Sequence, residues 1–307
     1  QYTTFSLKNQ QNSARNLKKK GCHSMKKILV IFAFVILLSG CGENPCENHL
    51  TFQEPQGSAA PIPAALPKEI HDSEFSVLDN RGSGWGFKKE KGQEPEILIK
   101  TQELFQKYDA FYLDPKRTKT IYLTFDEGYE NGYTGQILDT LKKLRIPAAF
   151  FITEPYLRTE KELVSRMVSE GHTVGNHTVH HPNLPKLDGA EAMAKELSDL
   201  NEQFLSEYGI PMQFMRPPEG EYSERVLAVS QAMGYKTIFW SFAYRDWDPK
   251  RQQGADYAFS QVTPYLHDGA ILLLHAVSKD NADALESILT YAMNQGYQFA
   301  SLDQLQY

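Results

Sequence analysis

The sequence predicts an α/β fold on a parallel sheet, and three observations point there. Apolar, strand-like segments alternate with helical patterns from residue 119 onward. The segment 121–125 carries apolar or β-branched side chains on both faces, the composition of a strand buried in a parallel sheet. Polar residues gather where strands end and loops begin: Asp126, His177, Arg216, Asp246 and His275. The alternation by itself leaves open a barrel or an open, doubly wound sheet. The placement of the polar residues favours a βα barrel, whose catalytic groups sit at the C-terminal ends of several strands.

At the N-terminal end, residues 1–24 contain no Met, and Met25-Lys26-Lys27 leads into an unbroken apolar run over 28–38. That is the basic n-region and apolar h-region of an export signal, and it is shorter than the roughly 20 residues needed to span a bilayer. Leu38-Ser39-Gly40-Cys41 closes the run and resembles a bacterial lipobox. Residues 25–41 are therefore expected to be a lipoprotein signal with lipid on Cys41, and 1–24 an upstream or non-native extension. Residues 42–68, rich in Pro, Ala, Gln and Gly, show no helical or strand period and read as a flexible tether.

Between 69 and 117, Trp85-Gly86-Phe87, Ile97-Leu98-Ile99 and Phe111-Tyr112-Leu113 suggest short segments that pack onto a larger body over 118–307. Strands are expected at 121–125, 148–153, 173–174, 213–215, 237–240 and 270–274. Helices are expected at 133–144, 161–170, 190–208, 223–233, 257–266 and 281–294, with Gly171, Gly234 and Gly296 as stop signals.

Charge and cysteine content narrow the chemistry. Seven of the 32 Lys and Arg, and none of the 38 acids, lie in residues 1–40, so the chain from Cys41 onward has a net charge of −13. This argues against a nucleic-acid partner, and it means that an anionic substrate must be met by local cations. No cysteine follows Cys46, which excludes a disulfide framework and thiolate catalysis from the folded body.

The stretch Thr120-Ile121-Tyr122-Leu123-Thr124-Phe125 ends in Asp126-Glu127-Gly128. Adjacent carboxylates at the end of a buried strand require a cation or an arginine, because repulsion and desolvation both disfavour ionisation. In Asn176-His177-Thr178-Val179-His180-His181-Pro182 the outer imidazoles are four apart, so both face one side if the turn is helical. Neutral imidazoles suit zinc or a similar divalent ion, and Glu127 or Asp126 can add a carboxylate ligand. The segment lacks the Glu that follows the first His in zinc proteases. Arg216, before Pro217-Pro218-Glu219-Gly220, can hold one carboxylate of the pair ionised as a base. Asp246 precedes Trp247, and the apolar run 270–274 delivers His275. Together these are the parts of a metal-assisted amide or ester hydrolysis.

Thr-Phe-Asp-Glu-Gly, His-Thr-Val-His-His-Pro, Arg-Pro-Pro-Glu-Gly, Asp-Trp and Leu-Leu-His resemble, in order, the five motifs of the NodB-type polysaccharide deacetylases. Gly84-Trp85-Gly86-Phe87-Lys88, Ala110-Phe111-Tyr112-Leu113, Gly128-Tyr129-Glu130-Asn131-Gly132-Tyr133 and His275-Ala276-Val277-Ser278-Lys279-Asp280-Asn281-Ala282 are similar to the δ-lactam-biosynthetic de-N-acetylases of spore-forming bacteria. The resemblance implies a distorted (β/α) barrel that removes the N-acetyl group of muramic acid in peptidoglycan glycan strands, before lactam closure in spore cortex. It implies Asp126 as the base toward the attacking water, Arg216 as its positioner, His275 as the acid and Asp246 as the carboxylate that tunes it. His177 and His181 match the histidine ligands of a divalent metal, zinc by expectation.

Glu127 stands where the family has a third-ligand Asp and the lactam-forming subgroup often has Asn; we expect it to reach the metal. Trp247, Tyr129 and Glu219 are the candidates for substrate contact. The expected product of the chain is a monomeric enzyme, exported and held on the outer face of the membrane. Alternatives are N-acetylglucosamine in peptidoglycan or chitin, O-acetyl xylan, or an inactive carbohydrate-binding lipoprotein. Retention of Asp126, Arg216, Asp246 and His275 together speaks against inactivity, since binding alone needs none of them.

Overall fold

The structure, a computed structural model, describes residues 69–307; the expected extension, the lipoprotein signal with Cys41 and the tether lie outside the described residues. In chain order come α1 (Asp72–Phe75), β1 (Ser83–Gly84), α2 (Ile99–Lys107), β2 (Ala110–Phe111), β3 (Thr120–Glu127), α3 (Thr134–Leu144) and β4 (Ala149–Ile152). Next are α4 (Glu154–Thr159), α5 (Lys161–Ser169), β5 (Thr173–Asn176), α6 (Gly189–Tyr208), β6 (Phe214–Met215) and β7 (Glu221–Tyr222). The rest are α7 (Glu224–Ala232), β8 (Lys236–Ile238), α8 (Ala255–Val262), β9 (Ile271–His275), α9 (Lys279–Asn294) and β10 (Gln298–Phe299).

Strand β3 is the hub. It pairs in parallel with β4 on one side and with β9 and β10 on the other. The sheet continues β4-β5-β6-β8-β2, all parallel. Beyond β8 the chain returns to β9 through a parallel bridge between Phe242 and Leu272, so the sheet curls into the distorted barrel that was expected.

Period-two alternation sorts the side chains of β3 into two layers. Ile121, Leu123 and Phe125 face the helices, packing in one core with Ile137 and Leu138 of α3 and Leu285 and Ile288 of α9. Each such buried side chain contributes about 1.5–3 kcal/mol. Tyr122 faces the other way, into a smaller core drawn from strands alone: Phe111, Phe151, Phe214, Ile238 and Ile271, closed by Leu302 and Leu305 near the C-terminus. Thr124 and Asp126 share the face of Tyr122, and this inner face carries the site.

Helix boundaries follow local chemistry. Ser223 and Ser278 cap α7 and α9, each hydroxyl accepting a backbone N–H three residues on. Gly171, Gly234 and Gly296 all take left-handed backbone just past helix ends, as expected. The stretch 69–117 does more than pack on the barrel: Ala110–Phe111 is a strand of the sheet, its Asp109 and Phe111 carbonyls accepting from Thr237 N and Phe239 N at 3.1 and 2.7 Å. Trp85 anchors this stretch, buried against Phe105, Tyr112 and Phe239 and donating Nε1–H to the Trp240 carbonyl at 2.9 Å.

Candidate active site

The parallel register places Asp126 of β3 directly beside His275 of β9, at the C-terminal ends of neighbouring strands. Register partners on one sheet face project together, so a carboxylate and an imidazole meet at the barrel mouth.

Arg216, just after β6, is fully buried beneath Asp126. Its Nη1 donates to Asp126 Oδ1 at 2.6 Å, Nη2 to Thr124 Oγ1 at 2.8 Å, and Nε to the Ile238 carbonyl at 2.9 Å. The guanidinium lies 4.2 Å from the centroid of the Phe151 ring. That ring occupies space only a glycine leaves free, since a Cβ on Gly175 would stand 2.6 Å from it. Burial pushes the Asp126 carboxyl up, but Arg216, helped by His177 and His275, outweighs it and holds the group below the usual carboxylate range. Asp126 is thus ionised across the working pH range.

His275 is organised from the opposite side. Its Nδ1 lies 2.8 Å from Asp246 Oδ1, and its backbone N–H donates to Asp246 Oδ2 at 2.8 Å. With Nδ1–H committed to a carboxylate, Nε2 is the atom left to exchange a proton. Burial pulls the imidazole pKa down, yet the charge and hydrogen bond of Asp246, with Asp126 beyond, raise it above its ordinary value. The sequence reasoning missed the next layer. Asn281, in the first turn of α9, donates to Asp246 Oδ2 at 2.6 Å and to the His275 carbonyl at 3.2 Å, and accepts from the Tyr244 hydroxyl. Thr124 is a second omission: it accepts from Arg216 and donates to the Leu272 carbonyl at 2.6 Å, tying β3 to β9. A signal for Asn281 was present, because it falls within the Ser278-Lys279-Asp280-Asn281 motif.

The histidine pair meets, though not by the expected route. The segment is a non-helical loop in which Thr178 and His181 adopt φ of 71° and 56°. Left-handed backbone at a β-branched residue is costly and clusters at functional sites. The strained turn brings the His177 and His181 rings to a centroid distance of 4.8 Å. His177 Nδ1 donates to the Arg216 carbonyl at 2.8 Å, which leaves the Nε2 lone pair free, 3.6 Å from Asp126 Oδ2. Burial lowers the pKa of His177, and burial with the neighbouring His177 pulls His181 down to about 4. Both imidazoles are neutral and so fit the donor chemistry of a divalent ion.

Glu127 does not join them, contrary to expectation. It follows Asp126 on an extended strand and points into the helix layer, where Oε1 accepts from Thr134 Oγ1 at 3.5 Å and Oε2 has no partner. The side chain is fully buried. Burial first, then Glu130 and Asp126, push its pKa well above the ordinary glutamate value. Among the described residues no group of three or more His, Cys, Asp or Glu has the geometry of a metal site, so the fitting donors are the two imidazoles.

Three candidates for substrate contact stand at the rim. Trp247 is half exposed and meets the His275 ring edge-on at a centroid distance of 6.0 Å. Tyr129 is 37% exposed, on the loop after β3. Glu219 is exposed in the turn after Arg216, with φ of 57°.

A parallel barrel whose mouth carries an arginine-clamped aspartate beside an aspartate-oriented histidine defines a general acid–base hydrolase. Known proteins narrow the class: residues 114–238 match the polysaccharide deacetylase family model. The chain is 43% identical over 237 residues to the peptidoglycan-N-acetylmuramic acid deacetylase PdaA of Bacillus subtilis, covering 76% of this chain and 90% of that protein. An uncharacterised 30.6 kDa protein of Geobacillus stearothermophilus is 47% identical over 234 residues, covering 75% of this chain and 87% of that one. The solved structure of Bacillus subtilis PdaA, a family 4 carbohydrate esterase, superposes with a TM-score of 0.72 at 44% identity, covering 74% of this chain and 98% of that one. The protein belongs to the polysaccharide deacetylase family.

Proposed function

We propose that the protein hydrolyses the N-acetyl amide of peptidoglycan amino sugars, acting on N-acetylmuramic acid on the way to muramic δ-lactam. The observation that carries this reading is the pairing of two dyads, Asp126–Arg216 and Asp246–His275, on register partners of β3 and β9. The likeness to the Bacillus subtilis muramic acid deacetylase supports the choice of sugar.

Ionised Asp126 takes a proton from the water that attacks the acetyl carbonyl, while Arg216 holds the carboxylate in place. His275 delivers a proton from Nε2 to the departing nitrogen, and Asp246 stabilises the imidazolium. The C–N bond breaks, giving acetate and a free amine. Positioned acid and base groups each contribute about 10²–10⁴-fold in rate. A divalent ion on His177 and His181, zinc in this proposal, would polarise the acetyl carbonyl as a Lewis acid. Trp247, Tyr129 and Glu219 line the approach of the glycan strand.

The export signal and lipid on Cys41 would place a monomeric enzyme on the wall side of the membrane, timed to sporulation. Among the described residues no helix is long and apolar enough to cross a membrane. The test is to digest peptidoglycan before and after treatment with the enzyme and locate the lost acetyl by mass spectrometry. Loss from muramic acid supports the proposal; loss only from glucosamine residues refutes the choice of sugar.

A further inference from the structure

We infer that Arg245 selects substrates carrying a carboxylate beside the acetamido group; the inference rests on the muramic acid reading above and names the residue that reads that sugar's acid. Muramic acid differs from glucosamine by a lactyl ether on the ring carbon next to the acetamido carbon. A free lactyl carboxylate therefore sits within a few bonds of the amide that Asp126 and His275 attack, and the mouth must supply a cation there.

The segment after Phe242 alternates in exposure: Tyr244 buried, Arg245 exposed, Asp246 buried, Trp247 exposed. Its inner residues both bind Asn281, which fixes the segment against α9. Fixing the inner residues commits Arg245 and Trp247 to the outer face. Trp247 meets the His275 ring edge-on at a centroid distance of 6.0 Å, and the Arg245 guanidinium carbon lies 5.9 Å from the Trp247 ring centroid. A positive charge thus sits one aromatic ring away from the proton donor.

That charge is exposed and loosely paired. The Arg245 side chain is 55% exposed, and its nearest carboxylate, Asp248, is 4.0 Å away and also held by Arg251 Nε at 3.4 Å. Among the described residues, two other cations near the site are more enclosed. Arg216 is buried on Asp126, and Lys89 is held between the Phe242 and Tyr265 rings at 4.8 and 4.9 Å. Since the folded body carries excess negative charge, no long-range field draws an anionic sugar in; a local cation must. A planar guanidinium also carries a fixed fork of N–H donors that can meet a carboxylate with two hydrogen bonds.

The experiment compares muramoyl glycan strands with the lactyl group as the free acid or as its methyl ester. Steady-state kinetics are measured for wild type, Arg245→Ala, Arg245→Lys and Arg245→Glu, with circular dichroism to establish that each variant folds. Wild type should prefer the free acid. Arg245→Ala should lose about fivefold in kcat/KM on the acid, the size of a half-exposed ion pair, mostly through KM. Arg245→Lys should restore part of the preference, and Arg245→Glu should turn it toward the ester. An acid-to-ester ratio in Arg245→Ala equal to that of wild type overturns the inference and leaves the proposed function standing. A wild type that deacetylates neither muramoyl substrate but acts on N-acetylglucosamine oligomers overturns the proposed function, and this inference with it.

Discussion

Replacing Glu127 by Gln should stabilise the protein at neutral pH and leave metal binding intact. The carboxyl is fully buried with one oxygen unpartnered, and burial and the carboxylates of Glu130 and Asp126 raise its pKa. A raised folded-state pKa means that the native state binds more protons than the unfolded chain. Below the unfolded value, near 4.3, both states are protonated and Glu127 has no pH-dependent effect. As pH rises above it, stability falls by about 1.4 kcal/mol per pH unit until the folded-state pKa is passed. Gln keeps the shape and cannot ionise. Its advantage should be near zero at pH 4 and grow with pH to at most about 4 kcal/mol at pH 7, the sum of that slope over the interval. In a domain of this size each kcal/mol moves the melting temperature by about 2–4 °C. Thermal melts at both pH values, with zinc titration by calorimetry, read both sides of the argument. A melting difference that does not grow with pH, or zinc affinity lost as badly as in His181→Ala, would refute the placement of Glu127 in the helix layer.

Three further outcomes follow from the same geometry, and a fourth from the sequence. Asp126→Asn and His275→Ala should each lose about 10²–10⁴-fold in kcat while keeping the wild-type circular dichroism spectrum. Wild-type kcat/KM should be bell-shaped in pH. Its acid limb should lie below the ordinary carboxylate value and its basic limb above the ordinary imidazole value, because Asp126 is lowered and His275 raised. Asn281→Ala should lower kcat about tenfold, as loss of a charge-assisted hydrogen bond does, and move the basic limb; an unmoved limb would assign Asn281 to packing alone. If Cys41 carries the lipid as proposed, Cys41→Ala should release the enzyme to the medium or block its processing, as measured by membrane fractionation.

Local information carried far in this chain. Alternation of apolar strands with helices determined a parallel α/β body, because strands buried on both faces need helices to cover them. Residue types at the strand ends determined the chemistry, since few combinations supply a base, an acid and the groups that tune them. Glycine and serine signals marked the helix ends because their preferences act within a turn of backbone.

The tertiary structure decided what depends on curvature and long-range pairing. Period two says only that Asp126 and Glu127 face opposite ways; the curl of the sheet made the Asp126 side the barrel interior and left Glu127 against α3 and α4. The four-residue spacing of His177 and His181 suggested a helix, yet hydrogen bonds to Asn176 and Thr178 side chains hold a left-handed loop that joins the rings differently. Asn281 reaches Asp246 across 35 residues of sequence. Such a contact is set by how α9 docks on β9, and no local propensity encodes docking.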